Sequence, residues 1–430
     1  MIRIPEPMRI RDFRLYWFAR FCAVLATMGM VVIIGYQVYD VARSDYGMSI
    51  RQASLVLGLL GAAQFLPLAL LTPVAGWVAD RFERRTVARI ANSIDMTVAL
   101  GLGWLTMQGD VTLPILFLFA ALHGVARVFV NPAMAAIAPN IVPSKILPEA
   151  IALGSIAWQV GSVIGPAMGG FLYAADPSLP YFVSAGLLAL AIVGLTPIRR
   201  IHAVQDEASR ARHPFRQMVD GLKYVRQHRF LLGAITLDLF AVLLGGATAM
   251  LPVFARDILK VGSEGLGLLR AAPAIGASTL AIYYAWYPLK REVGIKMLGA
   301  VAGFGAMTIL FGLSTSMVVS MIALVLLGAF DMLSVYVRSS LVQLHTPDGM
   351  RGRVSAVSGL AISASNELGE LQSGLAAALL GPVGAVVFGG AAAIGVAGLW
   401  ALWFPELRRA KTFDPPDHLV PPDDIAKELV

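Results

Sequence analysis

Asp238, Asp331, Glu367 and Glu370 each fall inside a long apolar run, as do Arg127 and Arg338. An ionisable group held away from water is costly, so each is a functional candidate by default. Glu367 and Glu370 are three residues apart, and Asp331 and Arg338 seven apart, spacings that put each pair on one face of a helix. Two neighbouring carboxylates in a low-dielectric site cannot easily both ionise, so one can carry a proton near neutral pH. Asp238, Glu367 and Glu370 are therefore the proton-coupling candidates, and Arg127, Asp331 and Arg338 their charged partners. The competing reading is ion pairing between helices with no proton traffic, for Asp331 with Arg338 and for Arg20 with Asp95 in particular. Gln37, Gln64, Asn131 and Asn366 add neutral polar groups to a substrate cavity that would also draw on Arg127, Asp331 and Arg338. His123 lies one turn before Arg127 on the same face.

Other chemistries find no residues to run on. No G-x-x-x-x-G-K-[ST] loop is present to cradle nucleotide phosphates, and no G-x-S-x-G turn to present a nucleophile. The six histidines have no metal-ligand spacing, and Cys22 is the only cysteine. The chain is expected to be no enzyme and to need no cofactor or metal. A lone thiol also forms no internal disulfide.

The elements that must hold the buried charges are membrane-spanning helices. Of the 430 residues, 57% are hydrophobic and only 14% charged, against about 25% charged in a soluble domain. Mean hydropathy is +0.72. Apolar runs fall near 16–39, 54–79, 86–107, 112–138, 149–174 and 181–198, and again near 231–255, 264–287, 294–314, 317–343, 355–379 and 383–404. Each is close to the roughly 20 residues that cross a bilayer, and none shows the ten-residue alternation of a membrane barrel strand. The expected fold class is an all-α integral membrane protein with twelve spans in two pseudo-symmetric six-helix bundles. Residues 1–198 form the first bundle, 199–230 a cytoplasmic connector, 231–404 the second bundle and 405–430 a tail. Within the connector, Phe215, Met218, Leu222 and Val225 recur at helical spacing among basic residues, an amphipathic helix for the membrane surface or a solvated linker.

Lysine and arginine set the orientation. Of the 34, 26 fall in the segments on the side of the N-terminus, 4 in the opposite loops and 4 inside spans. Positive residues collect in the cytoplasm, so both termini are expected there, in the inner membrane of the cell. The net charge of +7 is thus a topology signal, and no nucleic acid is expected as a partner. The two halves also repeat: Leu57-Gly58-Leu59-Leu60-Gly61 reads like Leu266-Gly267-Leu268-Leu269-Arg270, and Tyr39-Asp40-Val41 like Arg256-Asp257-Ile258. Parallel repeats place a substrate site between them near the bilayer midplane.

Two strings carry a resemblance. Gly76-Trp77-Val78-Ala79-Asp80-Arg81-Phe82-Glu83-Arg84-Arg85 joins spans two and three, with a helix exit expected at Gly76, a carboxylate at Asp80 and guanidinium groups at Arg81, Arg84 and Arg85. It resembles the loop signature of the major facilitator superfamily, G-x-x-x-D-R-x-x-R-R, with Glu83 where many members carry a second glycine. In span five, Gly161, Gly165, Pro166, Gly169 and Gly170 let helices approach closely. Tight packing alone explains them, and they are also similar to the superfamily's antiporter signature. Leu251-Pro252-Val253-Phe254-Ala255 and Arg351-Gly352-Arg353-Val354 look like the branch that contains bacterial enterobactin exporters. The resemblance implies a monomeric secondary transporter in membrane lipid, moving a siderophore- or drug-like molecule outward in exchange for protons, with the Asp80–Arg85 loop controlling closure. Proton-coupled uptake of a nutrient or organic anion, with Arg127 binding the anion, is the alternative.

Overall fold

In a computed structural model the structure describes residues 5–200 and 214–413. Among these residues it is helix and loop with no strand. The tail beyond 413 and connector residues 201–213 lie outside the described residues. A helix stands at every one of the twelve expected positions, and the span numbers are kept. Spans one to six are Arg11–Ser44, Ile50–Arg81, Arg84–Gln108, Leu113–Ala135, Leu147–Ala175 and Leu179–Leu195. Spans seven to ten are Arg229–Leu244, Gly262–Trp286, Val293–Leu313 and Met317–Leu344. A single helical stretch, Asp348–Trp403, holds the last two. Nine described stretches are long and apolar enough to cross a membrane, with Arg229–Ile258 and Gly349–Trp403 each taken as one. Span six is apolar but only 17 residues long, and span three begins with the polar Arg84 and Arg85.

Local chemistry sets the ends. Span two starts at a reciprocal cap, where Ser49 Oγ accepts from Gln52 N–H and the Gln52 side chain accepts from Ser49 N–H. Span three stops at Gly109, whose φ of 78° lies in the left-handed region. Spans eleven and twelve meet at Gly381, with φ 79° and ψ 163°. Only glycine takes that backbone shape readily, and Pro382 follows at once. The outer surface carries many large apolar side chains: Trp286 and Leu379 are each 78% exposed. Lipid suits that surface and water does not.

Span seven differs from the unbroken run expected at 231–255. Its helix ends at Leu244, and a 3-10 turn (Ala247–Met250), one α-turn (Leu251–Val253) and a π-turn (Phe254–Ile258) follow. Gly245 and Gly246 weaken the helix, and Pro252 removes a backbone donor. Carbonyls freed within a membrane must find other donors. The Thr248 carbonyl accepts from Arg270 at 3.1 Å, and the Gly246 carbonyl from Ser373 at 3.1 Å.

Inside the first half, span one packs against five and six, two against four, and three against four and six. The second half packs eight against ten and nine against ten. The halves meet along two seams where glycines bring backbones together. In one, a Cβ on Gly58 of span two would lie 2.6 Å from Gly374 Cα of span eleven. In the other, a Cβ on Gly267 of span eight would lie 2.7 Å from the Pro166 carbonyl oxygen of span five. The connector helix, Pro214–Gln227, lies on the start of span eleven: Val225 is buried and Asp220 reaches Arg353 at 3.8 Å, while Leu222 is exposed.

Candidate functional site

Four helices assemble a charged layer on the seam between spans two and eleven. Arg127 of span four lies 3.6 Å from the Glu367 carboxylate of span eleven and donates to Gln64 Oε1 of span two at 3.3 Å. That contact crosses between the halves. Glu370, Gln64 and Arg270 line a cavity of about 40 Å³ together with Val31, Leu57 and Thr248. The volume admits ordered water but is far below the roughly 300 Å³ or more of a drug-sized pocket. Gly61 makes the layer possible, because a Cβ there would come within 2.6 Å of Glu370 Cβ.

A second charge cluster sits inside the second half. Asp238 of span seven is in direct contact with Arg338 of span ten, both nearly excluded from solvent. Asp331 is close enough to feel both charges. The partner of Arg338 is thus Asp238 on a neighbouring helix rather than Asp331 on its own. Seven residues are about 10.5 Å along a helix axis, too far for a direct pair within one span. Asp95 differs from expectation as well. It contacts His123 at 2.6 Å, whereas Arg20 donates to the Tyr16 hydroxyl at 3.0 Å.

Gln37 lies within the first bundle rather than at the seam, donating to Thr106 of span three at 3.0 Å and accepting from the Tyr181 hydroxyl at 2.6 Å. Asn131 is exposed one turn beyond Arg127, and Asn366 is exposed beside the buried Glu367. Three features were not picked out from sequence. One is Arg270, which sits where the repeat places Gly61. Another is the Asp95–His123 pair. The third is a latch on the face opposite the N-terminus, where Asp40 pairs with Arg256 at 3.0 Å, and Asp257 takes Tyr39 at 2.5 Å and Arg43 at 3.3 Å. The repeat held the signal for the latch: each half ends its first span with Asp40 or Asp257, and each aspartate pairs with an arginine of the other half.

The model of the Major Facilitator Superfamily matches residues 16–370. The chain belongs to this superfamily. It is therefore a multi-pass membrane transporter of small molecules and not an enzyme, as the sequence implied. The enterobactin exporter of Shigella boydii serotype 18 is 25% identical over 376 residues, covering 87% of this chain and 86% of that protein. A POT family transporter solved with 5-aminolevulinic acid has a TM-score of 0.71 at 12% identity, covering 93% of this chain and 97% of its own. A D-xylose–proton symporter has a TM-score of 0.67 at 16% identity, covering 92% and 98%. At such identities the two structures show the shared fold.

The facilitator loop between spans two and three ties the first half together. Span two continues through Gly76 to Arg81, and a Cβ on Gly76 would meet open space, so the helix does not exit at that glycine. Arg84 donates to the Ala136 carbonyl at 3.2 Å and Arg85 to the Thr196 carbonyl at 2.9 Å, joining the loop to the ends of spans four and six. Glu83 has ordinary backbone angles and pairs with Arg85 at 2.9 Å, so no glycine is needed there. The Asp80 side chain lies outside the described residues. In span five the glycines face two ways. A Cβ at Gly161, Gly165 or Gly169 would crowd span one at Val24, Leu25 or Gly29, whereas Gly170 abuts Ser263 and Gly267 of span eight.

Proposed function

We propose that this transporter exports an amphipathic small molecule, siderophore- or drug-like, in exchange for protons by alternating access. The observation that carries the reading is the layer at the seam, where Glu367 and Glu370 face Arg127 and Arg270 beside a small cavity with polar lining. Carboxylates sharing a low-dielectric site readily hold one proton between them. A proton on Glu367 cancels the charge that Arg127 binds across the halves, so loading the proton loosens the seam and losing it closes the seam. Asp238, tied to Arg338 inside one half, supports the shape of that half, with Asp331 beside it.

In this reading residues 1–198 and 231–404 are the two rocking bundles, 199–230 links them and 405–430 is a tail. Both termini are cytoplasmic in the inner membrane, and the protein works as a monomer. The latch of Asp40, Arg43, Arg256 and Asp257 then closes the outward side. Arg84 and Arg85, at the start of span three, bind the cytoplasmic ends of spans four and six so that the first bundle moves as one. Outward direction is supported by the similarity to enterobactin exporters and by the glycine–proline pattern of span five.

Everted membrane vesicles test this. A proton gradient should drive accumulation of a catecholate siderophore or a hydrophobic cation, and collapsing the gradient should abolish it. No accumulation in vesicles, with gradient-driven uptake of an organic anion by intact cells, would establish the importer reading in its place.

A further inference from the structure

His123 is fully buried, and its Nδ1 lies 2.6 Å from an Asp95 oxygen that is almost equally buried. Its other ring nitrogen, Nε2, is buried with no hydrogen-bond partner. A buried polar atom without a partner is costly, and most such atoms in folded proteins are satisfied. A carboxylate on one ring nitrogen fixes the tautomer and makes the other the atom that exchanges a proton. An ionised Asp95 accepts the Nδ1 proton, and Nε2 is then the exchanging atom. His123 also stands one turn from Arg127, on the same face of span four. Arg127 is the residue that reaches across to Glu367.

We propose that His123, oriented by Asp95, is a second proton-binding residue of the transport cycle, acting through Arg127 on the Glu367 contact that joins the halves. This rests on the proton-coupled reading above. The exchange balances: an N–H bond forms at Nε2 when hydronium gives up a proton and becomes water, and breaks when water takes the proton back, while the Nδ1–H bond is kept. With His123 charged, the positive groups of span four hold Glu367 ionised and the seam closed. With His123 neutral and Glu367 protonated, the attraction to Arg127 is gone and the seam is free to part.

The charged groups facing this site come from several helices. Asp95 belongs to span three, Arg127 to span four itself, Glu367 and Glu370 to span eleven, and Arg270 to span eight. Span two contributes the neutral Gln64. Arg20 of span one, which also touches span four, is turned to Tyr16.

The test uses the full chain in liposomes, measuring proton-driven transport of a hydrophobic cation from pH 5 to 9. Wild type should show two pH-dependent limbs. His123→Asn should remove one limb and leave residual transport that no longer varies there. Asp95→Asn, which preserves shape, should shift the midpoint of the same limb by about one pH unit. The imidazole signal of His123 in isotope-labelled wild-type protein should titrate across the same range, a readout that stands even if a variant folds poorly. A wild-type profile that both variants leave unchanged, or a His123 signal that does not titrate, overturns the proposal and leaves proton coupling intact. Transport in wild type that ignores the proton gradient overturns the proposed function instead.

Discussion

The two seams share a backbone design and differ in chemistry. Spans two and eleven approach through Gly58 and Gly374, spans eight and five through Gly267 and Gly170, and the repeat equates Gly58 with Gly267. Three positions later the repeat diverges. Gly61 leaves space that Glu370 fills, while Arg270 supplies a cation to the same cavity. The seam of spans five and eight has Gln159 donating to Ser278 at 2.6 Å, a neutral contact. Close packing is thus symmetric and charge is one-sided. The repeat supplies two matched glycine-packed surfaces, and a difference at one repeat position supplies the electrostatics of only one of them.

Breaking the charged seam should have the largest effect. Arg127→Met leaves Glu367 buried without its cation, and losing one partner of such a pair costs about 3 kcal/mol or more. Thermal stability in detergent should fall with that energy, and proton-driven transport in everted vesicles should be largely lost. Glu370→Gln should leave gradient-independent exchange largely intact and remove the pH-dependent limb carried by the Glu367–Glu370 pair; a profile with both limbs retained would assign that proton elsewhere. Gly58→Ala and Gly267→Ala should each cost about 1–3 kcal/mol by overpacking against backbone, read as matching losses in thermal stability in detergent. Unequal losses would break the symmetry of the two glycine-packed surfaces.

Smaller effects sharpen the contrast. Gln159→Met removes a neutral contact on the uncharged seam and should cost about 1 kcal/mol, leaving the pH profile of transport unchanged. Asp257→Asn weakens a partly exposed latch by about 1 kcal/mol. Distances between spin labels at positions 47 and 262 should then broaden, more so at low salt than at high.

Much of the fold was legible because lipid asks a simple question of each segment. Twenty apolar residues in a row answer it without reference to any other segment. The break at 245–250 escaped, since Gly245, Gly246 and Pro252 stand in an apolar run and membrane helices tolerate such residues. For the site, periodicity gives each side chain a depth and a face but not a neighbour. Glu367 and Glu370 were found as a pair because both lie on one helix. Asp95 with His123, Asp238 with Arg338 and Tyr39 with Asp257 each join different helices, and those partners depend on how the bundle closes. Gln37 was misplaced for the same reason: its depth matches that of a cavity, but its face turns toward spans three and six. Arg270 was visible in the repeat, opposite Gly61, once that departure was read as meaningful.

Gly381 couples two helices more tightly than any loop could. A single residue in a glycine-only conformation turns the chain between spans eleven and twelve, so no slack stands between the helix that bears Glu367 and Glu370 and its successor. Span twelve in turn packs on span nine through Gly390 and Gly305, so span eleven is joined to that flank by one residue. In the proposed cycle this elbow is the mechanical transmission by which neutralisation at Glu367 reaches the far flank of the bundle.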